Sequence, residues 1–89
     1  RESAMKSIEV YFYTKQNCPL CDQAEDALQS LATEYPLIIN KLDIYEDDAL
    51  LEKYEIRIPV IEVSGIVIAE GVVTETMVRE QLQKLLFKT

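Results

Sequence analysis

The sequence predicts an α/β fold, a four-stranded mixed sheet flanked by three helices in the order β-α-β-α-β-β-α. Three observations carry that expectation. The apolar run Ile8-Glu9-Val10-Tyr11-Phe12-Tyr13 leads through a short polar loop into Asn17-Cys18-Pro19-Leu20-Cys21, at the head of an amphipathic segment. A second apolar run, Leu37-Ile38-Ile39-Asn40-Lys41-Leu42, follows after a crossover long enough for a parallel βαβ unit. Two further runs, Val60-Ile61-Glu62-Val63 and Ile66-Val67-Ile68-Ala69, are separated only by Ser64-Gly65, the spacing of a tight hairpin.

Taken in order, the first strand points Ile8, Val10 and Phe12 one way and Tyr11 and Tyr13 the other, so apolar bulk on both faces marks it as central. The first helix is expected from about Pro19 to Glu34. Proline suits the first helical position, where its missing N–H costs nothing, and Pro36 ends the segment. Leu20, Ala24, Ala27, Leu28, Leu31 and Tyr35 recur at helical spacing as its apolar face. After the second strand, a short helix is expected over roughly Glu46 to Tyr54, with acidic residues in its first turn and Leu50, Leu51 and Tyr54 inward. Glu55 to Pro59 form a loop into the third strand. After Gly71, Thr74 is placed to cap a last helix running to about Phe87, with Val78, Leu82, Leu85 and Leu86 facing the core.

Composition bounds the function. The chain has 89 residues, 48% hydrophobic and 28% charged, enough for one core. Residues 1–6 read as an N-terminal tail and residues 7–89 as a single domain; a native start at Met5 would make Arg1-Glu2-Ser3-Ala4 a remnant of expression. A net charge of −7 without histidine argues against nucleic acid and against an anionic membrane surface, both of which require clustered Lys and Arg. No apolar stretch approaches the length of a membrane span and no basic-then-apolar leader is present, so a soluble cytoplasmic monomer is expected. In that compartment thiols stay reduced unless they are in use.

The only two cysteines are three residues apart, close enough to form a disulfide without moving the rest of the fold. The loop they close is too small for the bond to stabilise the fold much by constraining the unfolded chain. A strand delivering such a pair to a helix N-terminus therefore suggests thiol–disulfide chemistry. Two other readings stand beside it: two cysteines that simply pack, and half of a metal or cluster site shared between two chains, since neither a third cysteine nor a histidine is present to complete one.

The element order, with Cys18-Pro19-Leu20-Cys21 after the first strand and Arg57-Ile58-Pro59-Val60 entering the third, resembles the glutaredoxin branch of the thioredoxin-like family. Tyr13 to Cys21 is similar to that branch's redox stretch, and Leu42-Asp43-Ile44 with Lys53-Tyr54-Glu55-Ile56 to its second βα unit. The resemblance implies a thioredoxin-like fold and a small dithiol–disulfide oxidoreductase with no bound cofactor. Its partner would be a disulfide-bearing protein or a low-molecular-weight thiol. Cys18, at the helix N-cap, would be the nucleophile, its thiolate favoured by unpaired N–H groups and by nearby Lys15, and Cys21 the more buried resolving thiol. The resemblance further implies a cis Ile58–Pro59 bond, where sequence alone favours an ordinary trans proline. It implies that Ile58 offers its backbone N–H and C=O to an extended substrate. Arg57 is either a carboxylate grip or a solvated loop charge.

Two departures qualify the resemblance. Leu20 stands where an aromatic is common, and Ala69 and Glu70 align with the Gly-Gly that helps hold glutathione, with Val73 at the following acidic position. Glutathione is therefore expected as a weak co-substrate, with only Lys15 and Arg57 as clamps and Glu70 as a like charge. The rival from another functional class is a docking or redox-sensing module that uses the same proline loop without turnover.

Overall fold

The computed structural model describes residues 7–86. The expected ends of the chain, the 1–6 tail and the last helix's extension to Phe87, lie outside these residues. Strand β1 (Ile8–Thr14) leads to helix α1 (Pro19–Leu31), strand β2 (Leu37–Asp43), a single 3-10 turn (Ile44–Glu46), helix α2 (Asp48–Tyr54), strands β3 (Val60–Val63) and β4 (Ile66–Glu70), and helix α3 (Glu75–Leu86). The sheet order is β2-β1-β3-β4. β1 runs parallel to β2, from Ile8 opposite Leu37 to Thr14 opposite Asp43, and antiparallel to β3, with Phe12 opposite Ile61. It is thus a central strand of a mixed sheet in a thioredoxin-like α/β fold.

The alternation of β1 sorts its side chains between two cores. Val10 and Phe12 join Leu28 and Leu31 of α1, Ile61 and Val63 of β3, and Val78 and Leu82 of α3 in the larger one. Fully burying one such side chain contributes about 1.5–3 kcal/mol. Tyr13 joins Ile44, Tyr54 and Val60 in the smaller one, with Leu50 and Leu51 packed against it. The second face is covered only toward the end of β1: Tyr13 is buried there, whereas Glu9 and Tyr11 remain exposed.

Helix boundaries follow local hydrogen bonding. α1 stops three residues before the expected Glu34. The N–H groups of Thr33, Glu34 and Tyr35 turn back to Ser30 O and Leu31 O, and Thr33 Oγ1 donates to Ser30 O at 2.7 Å, closing the last turn ahead of Pro36. Its buried face is Cys21, Ala24, Ala27, Leu28 and Leu31. Leu20, expected inward, is 42% exposed, because Cys21 takes the core-facing position of the first turn. The expected helix at Glu46–Tyr54 begins later, at Asp48. Asp43 caps the 3-10 turn by accepting from the Tyr45 N–H, and Asp47 caps α2 by accepting from the Ala49 N–H, both at 2.9 Å. Thr74 caps the last helix as expected, accepting from the Met77 N–H at 3.2 Å, but Leu86 lies on the surface. The hairpin turns through Ser64 and Gly65, whose φ angles of 55° and 79° suit the right-handed twist of its strands. Among the described residues no helix is long and apolar enough to cross a membrane.

The smaller core carries one polar contact that spans the sheet. The Tyr13 phenol donates to Glu62 Oε1 at 2.9 Å, and its ring stacks on Tyr54 with centroids 4.5 Å apart. Tyr13 faces Val60 across the β1–β3 ladder, so Glu62 is its diagonal neighbour on the same face. Burial first, and then the bond to Glu62, push the phenol's pKa well above its ordinary value. A raised folded-state value means the neutral phenol contributes stability below the unfolded pKa of about 10, and this is lost as pH rises beyond it. Tyr13→Phe is therefore expected to cost about 1 kcal/mol at neutral pH. The difference from wild type should shrink above about pH 10, as measured by urea unfolding at the two pH values.

Candidate functional site: the cysteine pair and the proline loop

β1 ends at Thr14, and Lys15-Gln16-Asn17 carry the chain over to α1. Asn17, in the left-handed region at φ 56°, reverses the backbone so that Cys18 arrives extended, at φ −125° and ψ 102°, as the N-cap. Pro19 holds the first helical position. Cys18 Sγ accepts a hydrogen bond from the Cys21 N–H at 3.1 Å, and Cys18 O accepts from the Asp22 N–H at 3.0 Å. The two sulfurs are paired as a disulfide, with Cα atoms 5.1 Å apart. Cys18 is 8% exposed and Cys21 2%, so the N-cap cysteine is the more exposed of the two, although less open than a helix start suggests. When the pair is reduced, the N–H aimed at Cys18 Sγ and the helix N-terminus favour the anionic sulfur there. This is a redox-active thiol site.

The proline loop enters β3, the strand hydrogen-bonded to β1. Ile58–Pro59 is cis, as the resemblance implies. Pro59 is fully buried, and Ile58 packs against both cores, including the one that contains Cys18 and Cys21. Ile58 does not offer both backbone groups. Its N–H is donated to Tyr54 O at 3.1 Å, and the Arg57 N–H goes to the same carbonyl at 2.9 Å. The last turn of α2 leaves that carbonyl unpaired within the helix, and the loop fills it. Among the described backbone bonds, the Ile58 carbonyl accepts none.

Lys15 and Arg57, expected to clamp one ligand, have different surroundings. Lys15 lines a cavity of about 350 Å³ with Thr14, Asn17, Asp22, Glu25, Lys41, Asp43 and Glu46, which neither Arg57 nor Pro59 lines. Arg57 is engaged within the protein: its Nε donates to Glu70 Oε1 at 2.7 Å. Its guanidinium carbon sits 5.3 Å from the centre of the Tyr54 ring, with Lys53 Nζ 5.1 Å from the same ring. The sequence marked Glu70 only as a repelling charge and missed this pairing. Among the described residues, no three His, Cys, Asp or Glu side chains gather to hold a metal ion.

The segment after the hairpin keeps its turn by other means. Ala69 and Glu70 still belong to β4, and the left-handed turn, at φ 76°, falls on Gly71. The Gly71 N–H is shared between Arg57 O at 3.2 Å and Pro59 O at 2.9 Å, which ties this segment to the proline loop. Val73, at the position aligned with an acidic residue, is 0% exposed and packs in the larger core. A carboxylate there would be buried without a partner. Around the loops, Leu20, Val72 and Ile56, the last 95% exposed, present apolar side chains to solvent.

Residues 9–87 match the sequence model of a family described as Glutaredoxin-like domain (DUF836). Among solved structures, the chain is similar to the structural-genomics target XcR50 from X. campestris. The two are 27% identical with a TM-score of 0.71, over 83% of this chain and 95% of that one. A protein of unknown function from Staphylococcus aureus superposes with a TM-score of 0.73 at 20% identity, over 94% and 95% of the two chains. Thioredoxin-2, described as a component of malaria parasite protein secretion machinery, superposes with a TM-score of 0.66 at 17% identity, over 90% and 85%. At these last two identities the likeness is one of fold.

After reduction, a limiting amount of alkylating agent is expected to modify Cys18 well before Cys21. Cys18 is the more exposed residue, and its sulfur receives a backbone N–H. Peptide mapping by mass spectrometry reads the order, and equal labelling in the folded protein would contradict it.

Proposed function

The chain belongs to the glutaredoxin-like domain family, and from that premise we propose that it is a dithiol–disulfide oxidoreductase working through Cys18 and Cys21. The observation that carries this reading is the paired cysteines at the α1 N-cap, with the Cys21 N–H directed at Cys18 Sγ. In the reducing direction, the Cys18 thiolate attacks one sulfur of a substrate disulfide. That bond breaks, the other sulfur leaves as a thiolate and takes a proton from solvent, and a Cys18–substrate mixed disulfide remains. Cys21, deprotonated as it reacts, attacks Cys18 Sγ and expels the second substrate thiolate. Two electrons have passed to the substrate, and the protein holds the Cys18–Cys21 disulfide. Two equivalents of a thiol, or one protein dithiol, reduce it again.

Geometry supports these roles. The cysteine at the N-cap is the more exposed and its sulfur receives an N–H; the other lies in the first helical turn, buried and in bonding contact. The substrate is a disulfide-bearing protein or a low-molecular-weight disulfide lying against Ile58 and Pro59. The Ile58 carbonyl accepts a substrate N–H, one backbone bond of the pair that strand addition makes elsewhere. The exposed Leu20, Val72 and Ile56 offer apolar contact to a protein substrate.

Cys21→Ser is expected to accumulate a mixed disulfide on Cys18 when the reduced variant meets a disulfide-bonded peptide, whereas Cys18→Ser should trap little. Intact-mass spectrometry distinguishes the adducts. An inert Cys21→Ser protein, together with a wild type that turns over no neutral disulfide such as hydroxyethyl disulfide, would refute the proposal.

A further inference from the structure

Arg57 and Glu70 come from different segments, thirteen residues apart, yet meet beside the proline loop. The contact is more than a chance approach of two surface charges. The Gly71 N–H bonds both Arg57 O and Pro59 O, which fixes the backbone of Glu70's neighbour to the backbone of Arg57. The Tyr54 ring lies under the guanidinium at 5.3 Å. With its backbone and one face held, Arg57 has its Nε directed to Glu70 Oε1 at 2.7 Å. Both side chains are partly open to solvent, and Arg57 lies in the loop whose Ile58 packs against the core containing Cys18 and Cys21.

We infer that Glu70 sets the charge specificity of this thiol site: by occupying Arg57 it converts an anion clamp into half of a neutral pair, so that thiols and disulfides bearing carboxylates dock poorly and neutral or cationic ones are preferred. The inference rests on the exchange reading of Cys18 and Cys21. A carboxylate ligand must share an already neutralised guanidinium with Glu70, which holds Nε, or displace it against an effective concentration on the order of millimolar or higher set by Glu70's own backbone. A ligand at millimolar concentration therefore gains little from Arg57. Lys53 shares the Tyr54 ring but is flanked in sequence by Glu52 and Glu55, so this segment gains no net positive charge from it. The net charge of −7 adds long-range repulsion of anions.

The test is equilibrium binding, so that it does not depend on turnover. The oxidised full chain is titrated with S-methylglutathione, which carries two carboxylates and no free thiol, and followed by nitrogen-15 shifts that include Arg57 Nε. Wild type should bind more weakly than millimolar. Glu70→Gln should bind about tenfold more tightly, the size of one charge-assisted contact, with the Arg57 Nε resonance moving on titration. The gain should vanish in the Arg57→Gln/Glu70→Gln double variant. The charge-swapped Arg57→Glu/Glu70→Arg protein, which keeps a pair, should bind no better than wild type. An affinity unchanged by Glu70→Gln, a gain that survives in the double variant, or tight wild-type binding through Arg57 would each overturn the inference. A protein that turns over no neutral disulfide but shows this binding pattern would instead fail the exchange reading alone.

Discussion

The burial of β1 between two strands and two apolar layers is the constraint on which the rest depends. Val10 and Phe12 sit beneath α1 and α3, Tyr13 sits against α2, and β2 and β3 take up the strand's backbone groups on either side. A strand bonded on both edges and packed on a face has no freedom to slip, because a shift of one residue would exchange its buried and exposed side chains. Its end is therefore a fixed point. Asn17 reverses the chain there in a left-handed conformation, and Cys18 becomes the cap of α1 rather than a residue of a mobile loop. The chemistry at Cys18 follows from that placement: the N–H groups a helix leaves unpaired at its start are brought to a sulfur.

The second half of the site is assembled from helix and strand ends that use one another's unpaired groups. α2 ends with the Tyr54 carbonyl free, and the N–H groups of Arg57 and Ile58 fill it; β4 ends at Glu70, and the Gly71 N–H reaches back to Arg57 O and Pro59 O. The proline loop is thereby held from both directions. One of the bonds that hold it takes up the Ile58 N–H, and Glu70 takes up the Nε of Arg57. A loop held by its own chain is pre-organised. The buried Val73 continues the pattern, since a position that packs in the core is not available to a carboxylate.

The amino-acid sequence by itself determined the element order, the cysteine pair at a helix start, the Thr74 cap and the Ser64-Gly65 turn. Each of these is encoded by residues close together in the chain: alternation over a strand, a proline at a first helical turn, a hydroxyl three residues before the N–H it accepts from, a glycine in a two-residue turn. The helix limits were less legible. α1 ends early because Thr33 competes for the Ser30 carbonyl, and α2 starts late because two aspartates, Asp43 and Asp47, each make their own cap. Leu20 was assigned to the core because its spacing fits a helical face, but only the seating of α1 on the sheet decided that Cys21 points inward and Leu20 outward. The cis Ile58–Pro59 bond was implied by the resemblance and was not readable from the residues themselves. The partners of Arg57 and Tyr13 were decided by tertiary structure alone. Tyr13 lies 49 residues from Glu62, and Glu70 lies 13 from Arg57. A charge reads in sequence as a property of one residue, whereas its effect at a site depends on what stands within a few ångströms, and that is fixed only when sheet register and loop packing bring distant segments together.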